Sequence, residues 1–281
     1  MCYNIRRLES AVKNKRLIIL LSIFAFIILI VVLSSTVFTV HATSISVEWH
    51  ISPLQFMQGQ DKEIVGEIVD KENIIFYDKN QAISTLEEKY PYIKVLKIEK
   101  KFPNKIIVHA TERQEQYAIK VNEKYYVLDE EGKVLNSYDQ SGFDALGATP
   151  NRRPLVVSIS GMTIEESTMQ IGKYAEISRV ITILKNLSSG LKNSGYTETW
   201  QVINNFKSVS IELGYVSKLS LDTNAERNIT LIINDVNKNL SAKVRFGVGL
   251  LNSRDFADKT NCNLTISYNS EGKLIGDRVD K

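Results

Sequence analysis

Cysteine is almost missing: Cys2 and Cys262 stand at opposite ends of the chain, which excludes a disulfide framework and every multi-cysteine zinc pattern. Histidine is nearly as scarce. His41, His50 and His109 have no carboxylate or cysteine at ligand spacing, so each reads as a surface or packing residue and no metal site is expected. Charge of one sign is lacking too. A net charge of +3 over 281 residues, with the basic positions dispersed, gives no electrostatic footprint for nucleic acid. There is no G-x-S-x-G elbow, Walker A loop, H-E-x-x-H helix, or S-x-x-K beside S-D-N or K-T-G, and Gly247-Val248-Gly249 is too short a fragment to cradle phosphate. The expectation is a protein without catalytic residues, cofactor or small-molecule substrate.

What is present begins with a long apolar run. Leu17 to Val40 contains no charged residue, and as a helix it would extend roughly 36 Å, enough to cross a hydrocarbon core. It exceeds the ordinary apolar stretch of a signal peptide, so an uncleaved anchor is favoured over cleavage near Val40-His41-Ala42. Arg6, Arg7, Lys13, Lys15 and Arg16 precede it and the first charge after it is Glu48. The positive-inside rule then puts residues 1–16 in the cytoplasm as a tail, 17–40 in the membrane, and the body outside.

The whole chain carries 43% hydrophobic and 24% charged residues, the composition of folded material in one or two domains. Ser44 to Ile51 alternates apolar and polar side chains as a half-buried strand does. A helix follows from Asp61, with Ile64, Val65 and Ile68 at helical spacing and weakened by Gly66. A second spans Lys79 to Lys89, opened by Asp78 with Gln81 three residues on and closed by Pro91. The runs IKVLKIEKKF and KIIVHATER flank Pro103-Asn104, a turn pair that makes them a hairpin. At its end Glu112 and Arg113, being adjacent, point to opposite faces and cannot line one pocket.

Beyond Arg113, KYYVLDEEGKVLN reads as a hairpin turning at Asp129 to Gly132, and FKSVSIEL, NITLIINDV and LSAKVRFGVGLL read as strands. EISRVITILKNL has helical spacing, and SYDQSGFDALGATPNRRP reads as an exposed loop. The fold class expected is α+β, with a mostly antiparallel sheet and a covering helix. The acid pairs Glu87-Glu88, Glu130-Glu131 and Glu165-Glu166 resemble glycosidase carboxylates in composition only, since each falls where solvated charge is usual.

Three segments in order, Asn73 to Asp78 (NIIFYD), Leu86 to Arg113 and Tyr125 to Leu135, stand behind a basic tail and one apolar run. Together they resemble the FtsQ/DivIB family of bacterial cell-division proteins. The resemblance implies a β-α-α-β-β POTRA domain at 44–113 and a larger β domain at 114–268, with 269–281 as a C-terminal tail. Val244 to Gly247 looks like the family's V-R-L-G strand. Leu264, Ile266 and Tyr268 fit its last strand, with Ser267 where an arginine is expected.

The resemblance further implies a non-enzymatic scaffold of the divisome, a single-pass cell-membrane protein acting at the septum. Its partners would be DivIC/FtsB-like and FtsL-like membrane proteins, and through them the septal cell-wall synthase. Leu264, Thr265, Ile266, Ser267 and Tyr268 would bind the partner by strand addition. The alternatives are an anchored cell-wall enzyme and a POTRA-type assembly factor.

Overall fold

The computed structural model describes residues 17–32, 36–41, 44–49, 56–68, 73–147, 153–224, 226–256 and 258–281. The expected cytoplasmic tail, His50 and Ile51 therefore lie outside the described residues. Helix α1 covers 17–32, and each of its side chains is exposed. Among the described residues no helix is long and apolar enough to cross a membrane. The helix also stops short of Val40. Phe38 accepts a hydrogen bond from the Ile74 amide at 2.8 Å, Thr39 bridges to Asn73, and Val40 is buried.

The chain forms two compact units, residues 1–86 with 93–112, and residues 87–92 with 113–281. The first follows the order β1 (Ile45–Trp49), α2 (Asp61–Ile68), α3 (Lys79–Lys89), β2 (Ile93–Lys101) and β3 (Lys105–Glu112). Its sheet runs β1-β3-β2, with β1 parallel and β2 antiparallel to the central β3. The Asp78 carboxylate accepts from the amides of Asn80 and Gln81, so it caps α3 as expected. Ile64, Ile68 and Leu86 from the helices and Ile93, Ile98, Ile106 and Val108 from the strands are buried in the unit. Glu112 accepts from the Phe56 amide.

The second unit is built on nine strands: β4 (Tyr117–Val121), β5 (Lys124–Leu128), β6 (Val134–Tyr138), β7 (Leu155–Ser160), β8 (Phe206–Glu212), β9 (Lys218–Thr223), β10 (Thr230–Asn234), β11 (Cys262–Tyr268) and β12 (Leu274–Asp280). Their order is β12-β11-β10-β9-β8-β7-β4-β5-β6. The sheet is mixed. β4 with β7, β7 with β8 and β10 with β11 run parallel, while the other neighbours are antiparallel. Parallel neighbours need a crossover longer than a hairpin. Here α4 (Gln140–Leu146), α5 (Ser178–Lys192), α6 (Thr199–Asn205) and α7 (Leu240–Leu251) lie in those connections.

Two expectations are corrected. The run LSAKVRFGVGLL, including the V-R-F-G segment read as a strand, is helix α7, and its buried Leu240, Val244, Val248 and Leu251 recur at helical spacing. The supposed loop after Tyr138 holds α4, opened by the Asp139 carboxylate accepting from the Gly142 amide. Phe143 and Leu146 of α4 pack with Ala118, Val127 and Leu135, and the Tyr125 and Phe143 rings stack at 4.1 Å. The main core gathers Val180, Leu184 and Leu187 of α5 and Val244 and Val248 of α7 with Leu221, Leu231, Leu264 and Ile266 of the strands. Close approach of those helices rests on Gly190, where a Cβ would stand 2.6 Å from Val244 Cβ.

Candidate functional site

Leu264 to Tyr268 lie on β11, and their backbone is not free. β11 pairs in parallel with β10 from Thr230↔Asn263 to Ile233↔Ile266, and antiparallel with β12 from Cys262↔Asp280 to Tyr268↔Leu274. Leu264 and Ile266 are fully buried in the main core. Thr265 and Ser267 point to the opposite face and are half-buried. Tyr268 is 36% exposed, held by the Asn239 amide at 3.2 Å on its hydroxyl and by Lys243 Nζ at 5.2 Å from its ring centre. Lys243 is buried and donates to the carbonyls of Asn234 and Asp235. Burial pulls its pKa below the usual lysine value, with the Asp235 carboxylate acting the other way.

The sheet edge on this side is one strand further out. Residues 269–281, expected as a tail, contain β12, which β11 flanks on one side only. The turn into it is local chemistry: the Asn269 side chain accepts from the amides of Glu271 and Lys273, and Gly272 takes φ +73°. Gly276 sets the distance to α7, since a Cβ there would meet Leu250 Cδ1 at 2.6 Å. From Asp277 onward β12 is exposed, Val279 at 60%. The strand escaped sequence reading because its charges hide the apolar alternation. The Asn-Ser-Glu-Gly turn between Tyr268 and Leu274 was the available signal.

Apart from Glu165, which accepts from the Ser167 hydroxyl at 3.4 Å, the paired acids are taken up by cations and phenols. The Arg113 guanidinium reaches Glu87 and Glu131 at 2.9 Å each and also Asp129, and Lys133 reaches Glu87 at 3.3 Å. Burial works against the Arg113 charge, but Asp129 and Glu87 outweigh it and hold the guanidinium pKa above its ordinary value. Glu130 pairs with Lys192 at 2.6 Å and Glu88 with Lys173 at 3.7 Å. Glu166 accepts from Tyr126 at 2.6 Å and Lys124 at 3.1 Å. Glu115 accepts from Tyr92 and Tyr138. His109, in contrast to its sequence reading, has two carboxylates beside it: Glu48 of β1 at 3.4 Å and Glu99 of β2 at 3.2 Å. Sheet register brings these together where linear spacing does not. The hydrogen bond from His109 is the main cause that lowers the Glu99 pKa.

A cavity of about 790 Å³ in the second unit is bordered by Arg153, Tyr196, Phe206, Thr223, Glu226 and Arg227 among others, with Glu226 its one acidic residue. Arg227 donates to the carbonyls of Leu251 and Phe256. This wall has no paired carboxylates of the kind glycoside hydrolysis uses.

A parallel-antiparallel three-stranded sheet with two helices in the order β-α-α-β-β marks the first unit as a POTRA domain, and residues 60–113 match the family model for the FtsQ-type POTRA domain. The chain is thus a POTRA-domain protein of α+β class. It is similar to the cell division protein DivIB of Clostridium tetani (strain Massachusetts / E88), 37% identical over 71 residues, a quarter (25%) of this chain and 27% of that protein. It is also similar to the DivIB proteins of two Clostridium botulinum strains, Hall and Loch Maree, at 24% and 22% identity over 178 residues, 62% of this chain. The chain spans 65% of the length of each of those two relatives. Domain and relatives together support the FtsQ/DivIB family that the sequence resembles.

Proposed function

We propose that this protein is a non-enzymatic scaffold of the divisome, anchored by its N-terminal apolar segment with the two units outside the cell membrane. It gathers at the septum, binds DivIC/FtsB-like and FtsL-like single-pass proteins, and through them helps regulate septal cell-wall synthesis. The observation that carries the reading is the FtsQ-type POTRA match beside relatives named as cell division proteins. The run of exposed apolar residues at 17–32, with basic residues before it, supports the anchor and its orientation.

Docking is by strand addition at the open edge of β12, with Tyr268, Thr265 and Ser267 as side-chain contacts near it. Alternate amides of an edge strand face outward, so a partner that adds a strand depends on every second residue. Proline placed one position at a time from Leu274 to Asp280 tests this in a pull-down of the DivIC-like partner. Loss of capture is expected at alternate positions. Capture that survives at every position would sink the docking mode. Removing all of 263–281 would be a poor test, because it strips Leu264 and Ile266 from the core. The scaffold reading is tested separately by a fluorescent fusion: a signal spread evenly over the membrane throughout division would count against it.

A further inference from the structure

One end of the first unit gathers exposed aromatic and aliphatic side chains where solvent alone would not favour them. Phe76 is 83% exposed, Phe102 64% and Ile75 46%. They are brought together by the backbone that leaves α1. The Thr36 hydroxyl donates to the carbonyl of Val32, the last residue of α1. Two residues after Thr36, at most about 7 Å of chain, the Phe38 ring meets the Phe102 ring edge-on at 6.3 Å, and its carbonyl accepts from the Ile74 amide. The Asn73 side chain accepts from the Ile75 amide, and the Phe76 amide donates to the Asn73 carbonyl, a tight turn that displays Ile75 and Phe76 outward. Lys100 sits 5.9 Å from the ring of Tyr77, and Lys101 pairs in register with Lys105 beside Phe102.

We infer that Ile75, Phe76 and Phe102 rest in the headgroup region of the lipid bilayer that α1 enters, with Lys100, Lys101 and Lys105 at the rim facing anionic lipid. The inference rests on the anchored reading above and adds a second, peripheral membrane contact to it. The occupant follows from continuity, since the same few residues join this patch to the end of an exposed apolar helix, and from charge, since a lysine rim suits phosphate headgroups. A peripheral patch of this kind holds the POTRA unit against the surface by burying apolar area beside attracted charge.

The test uses the full chain with Cys2→Ser, in vesicles of phosphatidylcholine and phosphatidylglycerol, since Cys262 is buried. An environment-sensitive fluorophore is placed at Phe76→Cys, Phe102→Cys or, as reference, Lys94→Cys, which lies eight residues back along β2, about 26 Å away. Nitroxide lipids labelled near the headgroup should quench positions 76 and 102 at least twofold more than position 94. Equal quenching at all three, in protein that floats with the vesicles and resists alkaline extraction, would overturn the inference while leaving the anchor intact. Protein that fails to float would overturn the anchor and the inference together. Labels at 76 and 102 that ignore lipid but become shielded when a DivIC-like partner is co-reconstituted would assign the patch to protein and likewise overturn it.

Discussion

At the scale of single residues the second unit is organised by carboxylates that accept from more than one donor. Glu166 is a simple case because its donors are few. Tyr126 donates at 2.6 Å and Lys124 at 3.1 Å, with Asn122 at 3.4 Å on the other oxygen. The Tyr126 hydrogen bond is the main cause that depresses the Glu166 pKa, and burial together with Glu166 pushes the Tyr126 phenol up to about 12. The signs follow from linkage. A depressed carboxylate contributes stability above its unfolded pKa and loses it as pH falls through the folded value. A raised phenol contributes fully below about 10, its unfolded value, and loses that contribution as pH climbs to about 12. The melting temperature of the native chain should therefore exceed that of Glu166→Gln by a constant margin from about pH 5 to 9, narrowing on both sides. A margin that stays flat through the alkaline limb would show that the phenol and carboxylate are not coupled.

At the scale of elements, legibility depended on whether the deciding contact was local. The β2-β3 hairpin and α3 were readable because a turn pair and a cap sit beside them in sequence. Helix α5 was readable from its own apolar period. Helix α7 was not. Its Val and Phe content suits a sheet, its two glycines disfavour a helix, and only the spacing of Leu240, Val244, Val248 and Leu251 betrays the helix. The last strand was misplaced by one for a related reason: β11 is apolar enough to look like the end of the sheet, yet that apolarity is what its place between β10 and β12 requires. The glycine that lets α5 and α7 approach, Gly190, carries no sequence signature either. Gly190→Leu drives a side chain into Val244 and toward the Ser241 carbonyl, 2.9 Å from where the Cβ would stand. Such overpacking costs about 1–3 kcal/mol, and urea unfolding should register it as a lower midpoint with unchanged slope.

At the scale of the whole molecule, the units are not consecutive pieces of sequence. A boundary drawn at Arg113 follows the end of the hairpin, but Glu87 to Tyr92 cluster with the second unit although they precede β2 and β3. No period or turn could reveal this, because it depends on a buried ion cluster closed by residues far apart in the chain. The Arg113 side chain is 2% exposed, and its two terminal nitrogens serve Glu87 on one side and Asp129 with Glu131 on the other. Removing one partner of a buried cluster costs about 3–5 kcal/mol, because the remaining charges stay buried. Arg113→Met should accordingly speed amide exchange in β5 and β6 by about two to four orders of magnitude where exchange occurs through opening of the unit. The amides of β2 and β3 should keep their native rates. Arg113→Lys should recover little, since a single ammonium cannot reproduce the two-sided fork. Equal acceleration in β2 and β3 would mean that the two units open together, and that Glu87 to Tyr92 are shared rather than owned by the second.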